Sequence, residues 1–341
     1  MVLESLLFQH ELGLKMRLRC GSLVLVRTMS SGRGNPPLHC CELVRTTDHE
    51  HYVATLVLPE KLRTASFALR ALGSEVAGVR DSVSDRTLGM VRPQFWKDAV
   101  TNMFQEGKAV PNHPVVTELK RLVDTSRPSA KLLQVSNNGI VSLTINWAPT
   151  LYLWRTFQDL AGSRDSFLSD KPFGTLEQVE EYGEAAFSSI YLVLLEVLGN
   201  DNGHAKHAAT QLGKCEGLIT LLRGTPYNVS KRRVYLPSSL MIEQGVREEG
   251  VLRRGPLEEG IRDVVEVVAS RAQQHLEAAR FRSKFLSRDH KLLLLPCVAA
   301  DHYLDQLSKA DCNLWDKSLH VRNSKLPLAL AWHKFRGTYW P

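Results

Sequence analysis

The chain has 341 residues, of which 43% are hydrophobic and 23% charged. That length suffices for one large core or two domains, and the proportions exclude fibrous and extensively disordered classes. The formal net charge of +7 favours acidic partners, lipid head groups, phosphates or nucleic acid, and is equally ordinary for a mitochondrial matrix protein.

The first forty residues carry Lys15, Arg17, Arg19, Arg27 and Arg33 against Glu4 and Glu11. A basic, serine-containing, acid-poor start fits a mitochondrial transit peptide, with cleavage between Gly21 and Asn35. A secretory signal fits less well, because the apolar SLVLV run is short and arginines flank it. A plain disordered tail is the bland alternative. Residues 1–38 are therefore set apart, and 39–341 are read as a single helical domain. No uncharged apolar run reaches eighteen residues, so no transmembrane helix is expected.

CCELVRTTDHEHYVATLVLP reads as a first helix that stops at Pro59. In LRTASFALRALGSEVAGVRDSV, Leu62, Ala65, Leu69, Leu72, Val76 and Val79 recur every three or four residues, which marks one helical face. The pattern continues from Thr87 to Met103 with Phe95, Trp96 and Val100 as core anchors. HPVVTELKRLVD is a short helix entered through a proline. VSNNGIVSLTINWAP then breaks the pattern with β-branched residues and Asn-Asn-Gly, so about 135–150 is expected to be an insertion shaped as a loop or small hairpin.

Helices resume at Leu176. EQVEEYGEAAFSSIYLVLLEVLG turns almost wholly apolar before Gly199 stops it. In HAKHAATQLGKCEGLITLLRG, Ala208, Leu212, Cys215, Leu218, Ile219 and Leu222 line one side. VYLPSSLMIEQGV is a connector with a short helix. Ile261, Val264, Val265, Val268, Ala272, Leu276 and Ala279 form the cleanest stripe in the chain, and KLLLLPCVAADHYLDQLSKA adds another helix. With no alternation of strand and helix, the fold class is all-α.

Several chemistries lack a foothold. The cysteines, Cys20, Cys40, Cys41, Cys215, Cys297 and Cys312, include no Cys-x-x-Cys pair. They read as reduced thiols rather than a disulfide framework or zinc site. There is no glycine-rich phosphate loop and no Gly-x-Ser-x-Gly elbow. His204 and His207 lie three apart on one helical face, where a surface or capping role outweighs metal ligation. No base-reading or base-stacking module appears, which sets nucleic acid aside.

The most informative run is QLGKCEGLITLLRGTPYNVSKRRVYLP, from Gln211 to Pro237. It reads as a helix ending in Arg223, a turn at Gly224-Thr225-Pro226, a cationic patch of Lys231, Arg232 and Arg233, and a close at Tyr235-Leu236-Pro237. Guanidinium forks match phosphate oxygens, so Arg223 and the patch, with Tyr235, form a candidate phosphate or lipid pocket. A solvated basic turn is the alternative.

This run resembles the second signature of squalene/phytoene synthases. Leu212 and Gly213 match its start, Arg223 its arginine, and Arg233, Val234, Tyr235, Leu236 and Pro237 its end. The resemblance implies the isoprenoid synthase helical bundle. It also places the family's two magnesium-holding aspartates on Gly224 and Asn228, which supply no anionic ligand. The first acidic signature should lie in the SFALRALGSEVAGVRDSV helix with acids four apart. Glu75 and Asp81 are six apart, on different faces. Both metal-binding walls are thus degenerate, so no catalytic residue, metal or cofactor is assigned.

The segments SFALRAL, VRDSVSDRTLGMVRPQFWKDAV, LEQVEEYGE, LLEVLG and LRGTPYNVSKRRVYLP resemble one non-catalytic branch of that family, over roughly Cys41 to Tyr339. That resemblance implies a factor for assembling mitochondrial respiratory complex I. Its partners would be assembly intermediates, the ND1 module as client, and the matrix side of the inner membrane through peripheral contact. A lipid or prenyl ligand could occupy a surviving pocket. The rival reading is a protein binding or transferring lipid or prenyl diphosphate with altered chemistry, with Glu75, Asp81 and Glu216 as replacement acids.

Overall fold

The computed structural model describes residues 35–82, 86–105, 107–126, 148–165, 172–199 and 202–337. Among them all regular structure is helical, as the apolar periodicity requires. The transit-like residues before Asn35 and residues 135–147 of the expected insertion lie outside the described residues.

The helix expected to run to Pro59 is two helices, α1 (Pro36–Thr47) and α2 (His49–Leu56). Asp48 separates them because its carboxylate caps the second, accepting from the His51 backbone N–H at 3.3 Å. Helix α3 (Glu60–Ser82) runs through the middle of the bundle. Its buried face holds Leu62, Ala65, Leu69, Leu72, Val76 and Val79, and Ser66 and Arg70 are buried as well.

Helix α4 (Arg86–Phe104) contains Pro93 and buries Trp96 and Val100. Phe95, expected in the core, is instead 37% exposed, with its ring edge-on to Trp96 at 5.1 Å. Helix α5 is Pro114–Ser126. Helix α6 (Ala148–Gly162) begins inside what was expected to be the insertion. Pro149 stands in its first turn, where a missing N–H costs nothing, and Leu153, Phe157, Leu160 and Ala161 bury its inner face.

Helix α7 (Leu176–Gly183) passes through a π-helical turn, Glu184–Ser188, into α8 (Ser189–Leu198). Gly199 ends α8 in the left-handed conformation at φ 72°, where glycine has no steric penalty. Helix α9 (Gly203–Ser230) is the longest of the described helices at 28 residues. The turn expected at Gly224-Thr225-Pro226 is absent, because α9 continues through Pro226. Leu221, Leu222 and Thr225 are buried there, and this packing offsets the hydrogen bond the proline removes.

Short helices α10 (Ser238–Glu243) and α11 (Glu248–Arg254) lead to α12 (Ile261–Ser283). All seven residues of the expected α12 stripe are buried, and they pack against α9. Each Val, Leu or Ile so buried contributes about 1.5–3 kcal/mol relative to exposure. Helices α13 (Arg288–Leu293), α14 (Cys297–Lys309) and α15 (Leu326–Arg336) complete the chain order.

The closest helix contact sits at the π-turn. A Cβ on Gly213 would lie 2.1 Å from Ser188 Oγ and 2.3 Å from its backbone N, and one on Gly217 would lie 2.4 Å from Gly183 Cα. Helices α7 and α9 therefore meet backbone to backbone, and nothing can be inserted between them at that level.

Candidate functional site

A chain of polar groups crosses the bundle interior. His51 on α2 joins Asp48 through Nδ1 at 2.7 Å and Glu216 of α9 through Nε2 at 3.0 Å. Tyr191 of α8 donates its hydroxyl to the same Glu216 Oε1 at 2.6 Å and accepts from Arg70 Nη2 of α3 at 3.3 Å. His51 and Tyr191 thus meet on the Glu216 carboxylate, and Asp48 and Arg70 join the chain through them.

The electrostatics explain why charges persist in this core. Burial and the Arg70 guanidinium act against protonation of His51, but the Asp48 and Glu216 carboxylates outweigh them and raise it to about 9. Burial likewise opposes the Asp48 charge, yet His51 and Arg70 hold its carboxyl well below the usual range. Burial, reinforced by Glu216, pushes the Tyr191 hydroxyl far up, so it remains a donor. These groups pair with one another through Glu216 Oε1 and the Tyr191 hydroxyl, while Arg70 Nε and Glu216 Oε2 are buried without a hydrogen-bond partner. They fix helix positions and present no nucleophile to a ligand.

One α9 turn and three further residues beyond Glu216 stands Arg223. Its Nη1 and Nη2 donate to Glu50 Oε2 and Oε1 at 2.6 and 3.0 Å. Its Cζ lies 4.3 Å from the Tyr303 ring centroid. The arginine borders a surface cleft of about 280 Å³, lined also by Asp48, His49, Glu50, His302 and Tyr303.

The rest of the expected phosphate pocket is elsewhere. Because α9 runs on to Ser230, Lys231 comes two helical turns after Arg223, about 12 Å along the axis. Lys231 and Arg232 are exposed, Arg233 is half-buried, and Tyr235 is buried. Arg232 turns the chain at φ 62°, and none of these four residues borders the Arg223 cleft. The run from Gln211 to Pro237 is therefore split between a paired arginine and an exposed turn.

Gly224 and Asn228 do share a helical face: a Cβ on Gly224 would lie 3.2 Å from Asn228 Nδ2. Neither residue brings a carboxylate to this face. Asn228 is engaged through its backbone carbonyl, which accepts from Lys231 N and Arg233 N, each at 2.9 Å. Glu75 points toward His113 of the α5 entry, 4.0 Å away. Asp81 lies in the last turn of α3, and its side chain is outside the described residues. Among the described residues no three His, Cys, Asp or Glu side chains are grouped to hold a metal. The donor set does not fit a magnesium cluster, which needs several anionic oxygens.

Other expected sites resolve simply. Glu216, considered as a replacement acid, is held in the interior network. His204 stacks on Phe285 at 4.9 Å, and His207 is exposed with Arg282 and Lys214 nearby, surroundings that disfavour a cation. The five described cysteines are free, while Cys20 lies outside the described residues. Burial raises the Cys40 thiol to about 12 and pushes Cys215 and Cys297 far up as well. The interior network itself is what the sequence reading missed. Its signal was a charge within an apolar helical face, Arg70 in SFALRAL and Glu216 between Leu212 and Ile219.

The chain resembles known proteins along most of its length. It is 35% identical over 312 residues to NADH dehydrogenase (ubiquinone) complex I, assembly factor 6 of Rattus norvegicus, covering 91% of this chain and 86% of that protein. It is 33% identical over 298 residues to the Drosophila melanogaster homolog of that factor, covering 86% and 82%. Among solved structures, a dehydrosqualene synthase superposes with a TM-score of 0.68 at 20% identity, covering 88% of this chain and 95% of that one. The squalene synthase HpnC of Alicyclobacillus acidocaldarius gives 0.63 at 15%, covering 82% and 95%. These two show a shared isoprenoid synthase fold. The family model described as squalene/phytoene synthase matches residues 44–142 and 154–327, so the chain belongs to the squalene/phytoene synthase family.

Proposed function

We propose that this chain is a non-catalytic assembly factor for mitochondrial respiratory complex I. It acts on early intermediates that contain the ND1 module, at the matrix side of the inner membrane. Its transit peptide lies before Asn35, since Pro36–Leu38 already belong to α1, and the helical domain that follows keeps the synthase bundle without its chemistry.

The observation that carries this reading is the state of the second signature. Gly224 and Asn228 stand on one α9 face without a carboxylate, and the preceding Arg223 is already forked by Glu50. Ionising a prenyl diphosphate depends on cations that neutralise the departing phosphates, and this face offers no ligands to hold them. The kinship over 91% of the chain with a protein named as a complex I assembly factor supplies the direction. Lys231 and Arg232, exposed after α9, are the groups offered to a lipid phosphate in this reading.

Native-gel separation of mitochondria expressing the tagged full chain tests the proposal. The protein is expected to co-migrate with ND1-containing intermediates. Migration on its own, with those intermediates abundant, would count against it.

A further inference from the structure

The strongest unassigned feature is the solvent side of α15. Leu328, Trp332 and Phe335 are 75%, 54% and 80% exposed. Spacings of four and three residues put them on one helical face. The opposite side holds the helix to the body through Leu326 and Leu330, which are buried, and through Lys334, whose Nζ donates to Val57 O at 2.6 Å. Helix α15 packs on α2 and α14. Three large apolar side chains therefore face water from a helix already docked along its other side, which is not how a core residue is used.

The charges beside them select a partner. From Lys317 to Pro341 the sequence holds five Lys or Arg residues and no Asp or Glu. Lys325 and Arg336 are exposed and, at 3.6 residues per turn, flank one edge of the apolar face. Arg336 Cζ lies 5.0 Å from the Trp332 ring centroid, and the Trp332 and Phe335 rings stack at 6.4 Å. Exposed Val321 and Arg322 continue the surface ahead of the helix. Trp, Phe and Leu on one face with cations at its rim is the pattern of a helix lying in the head-group layer of a membrane. The segment itself brings cations and no acid, although Asp48 and Glu50 line the cleft that Val321 and Arg322 border, and an anionic lipid surface attracts each nearby Lys or Arg.

We propose that the exposed face of α15 seats the protein on an anionic phospholipid surface, with Leu328, Trp332 and Phe335 entering the interface and Lys325 and Arg336 contacting the phosphates. This deepens the reading of peripheral membrane contact by naming the surface that makes it. No described helix is long and apolar enough to cross a membrane, so contact through α15 lies along the surface.

The test is co-sedimentation of the purified full chain with vesicles of phosphatidylcholine alone and of phosphatidylcholine mixed with cardiolipin. Binding is expected to the mixed vesicles only, to weaken with salt, and to fall about tenfold or more in L328S/W332S/F335S. All three positions are exposed, so the variant's circular dichroism and unfolding midpoint should match the parent. The control F281S/F285S removes the other exposed aromatic pair and should bind like the parent. Parent protein that ignores cardiolipin vesicles, or an α15 variant that binds unchanged, would overturn the proposal. Loss of binding in the control alone would also overturn it, by placing the contact elsewhere. Because the assay contains no respiratory subunits, its failure leaves the complex I reading standing. If the α15 variant failed to restore complex I while the parent ignored lipid, this face would dock a protein, and the lipid inference would be wrong.

Discussion

Arg223 is forked by Glu50 across the junction of α9 and α2, with N–O distances of 2.6 and 3.0 Å, so this arginine ties two helices together. Both side chains are about a third exposed, which screens the pair. A double-mutant cycle with R223A and E50A should give a coupling of about 1 kcal/mol by urea denaturation. R223A alone should cost somewhat more, because it also strips a cation from the Tyr303 ring. A coupling near zero would mean the fork does not hold α2 to α9.

The interior network predicts a pH dependence with a definite sign. His51 titrates at about 9 in the folded protein against 6.5 ordinarily. Its contribution is therefore fully present below about pH 6.5 and is lost as pH rises through about 9. Asp48 is shifted down, so its contribution is present above its ordinary value near 4 and is lost on acidification. Urea midpoints should accordingly fall between pH 6.5 and 9, and H51Q should flatten that fall. An unchanged slope in H51Q would assign the pH dependence to other groups.

Tyr191 bridges Arg70 and Glu216 in a fully buried setting. Y191F keeps the ring and removes the bridge, leaving the Glu216 carboxylate short of a donor. The expected cost is about 1–3 kcal/mol, read as a lower denaturation midpoint with an unchanged m-value. A neutral Y191F would show that water replaces the hydroxyl.

Two glycines on α9 should respond oppositely. G213A places a methyl 2.1 Å from Ser188 Oγ and 2.3 Å from its backbone N, and should destabilise by about 2 kcal/mol or more. A methyl at Gly224 meets only the Asn228 side-chain amide at 3.2 Å. G224A should be neutral or stabilising by up to about 1 kcal/mol, because alanine is the better helix former. Gly224 and Asn228 are both part-exposed, so the longer side chains of G224D/N228D can turn to solvent and the variant should fold. It is expected still to leave farnesyl diphosphate intact with magnesium, since Glu75 and Asp81 on α3 stand six residues apart. Turnover by that variant would show that two residues alone separate this chain from a synthase.

The helical periodicity made much of the fold legible. The α12 stripe from Ile261 to Ala279 and the α9 face from Ala208 to Leu222 are buried as their spacing demands. Legibility failed where a local signal was overridden. Pro226 looked like a stop, yet α9 passes through it because its surroundings are packed. Asp48 looked like an interior residue of one helix and is the cap of another. The apparent insertion hid the first turn of α6. The π-turn at Glu184–Ser188 has no signal of its own in LEQVEEYGEAAFSS. At the candidate site, the shared face of Gly224 and Asn228 was readable because both lie within one helix. Glu50, which engages Arg223, lies 173 residues away, and only the fold brings it there.

We propose that this bundle serves complex I assembly and performs no prenyl chemistry. The most direct measurement is complex I content on native gels after depletion of the protein, with the other respiratory complexes as controls and the parent chain returned for rescue. Selective loss of complex I is expected, with early subcomplexes stalled, reversed by the parent chain. Unchanged complex I after complete depletion would contradict it.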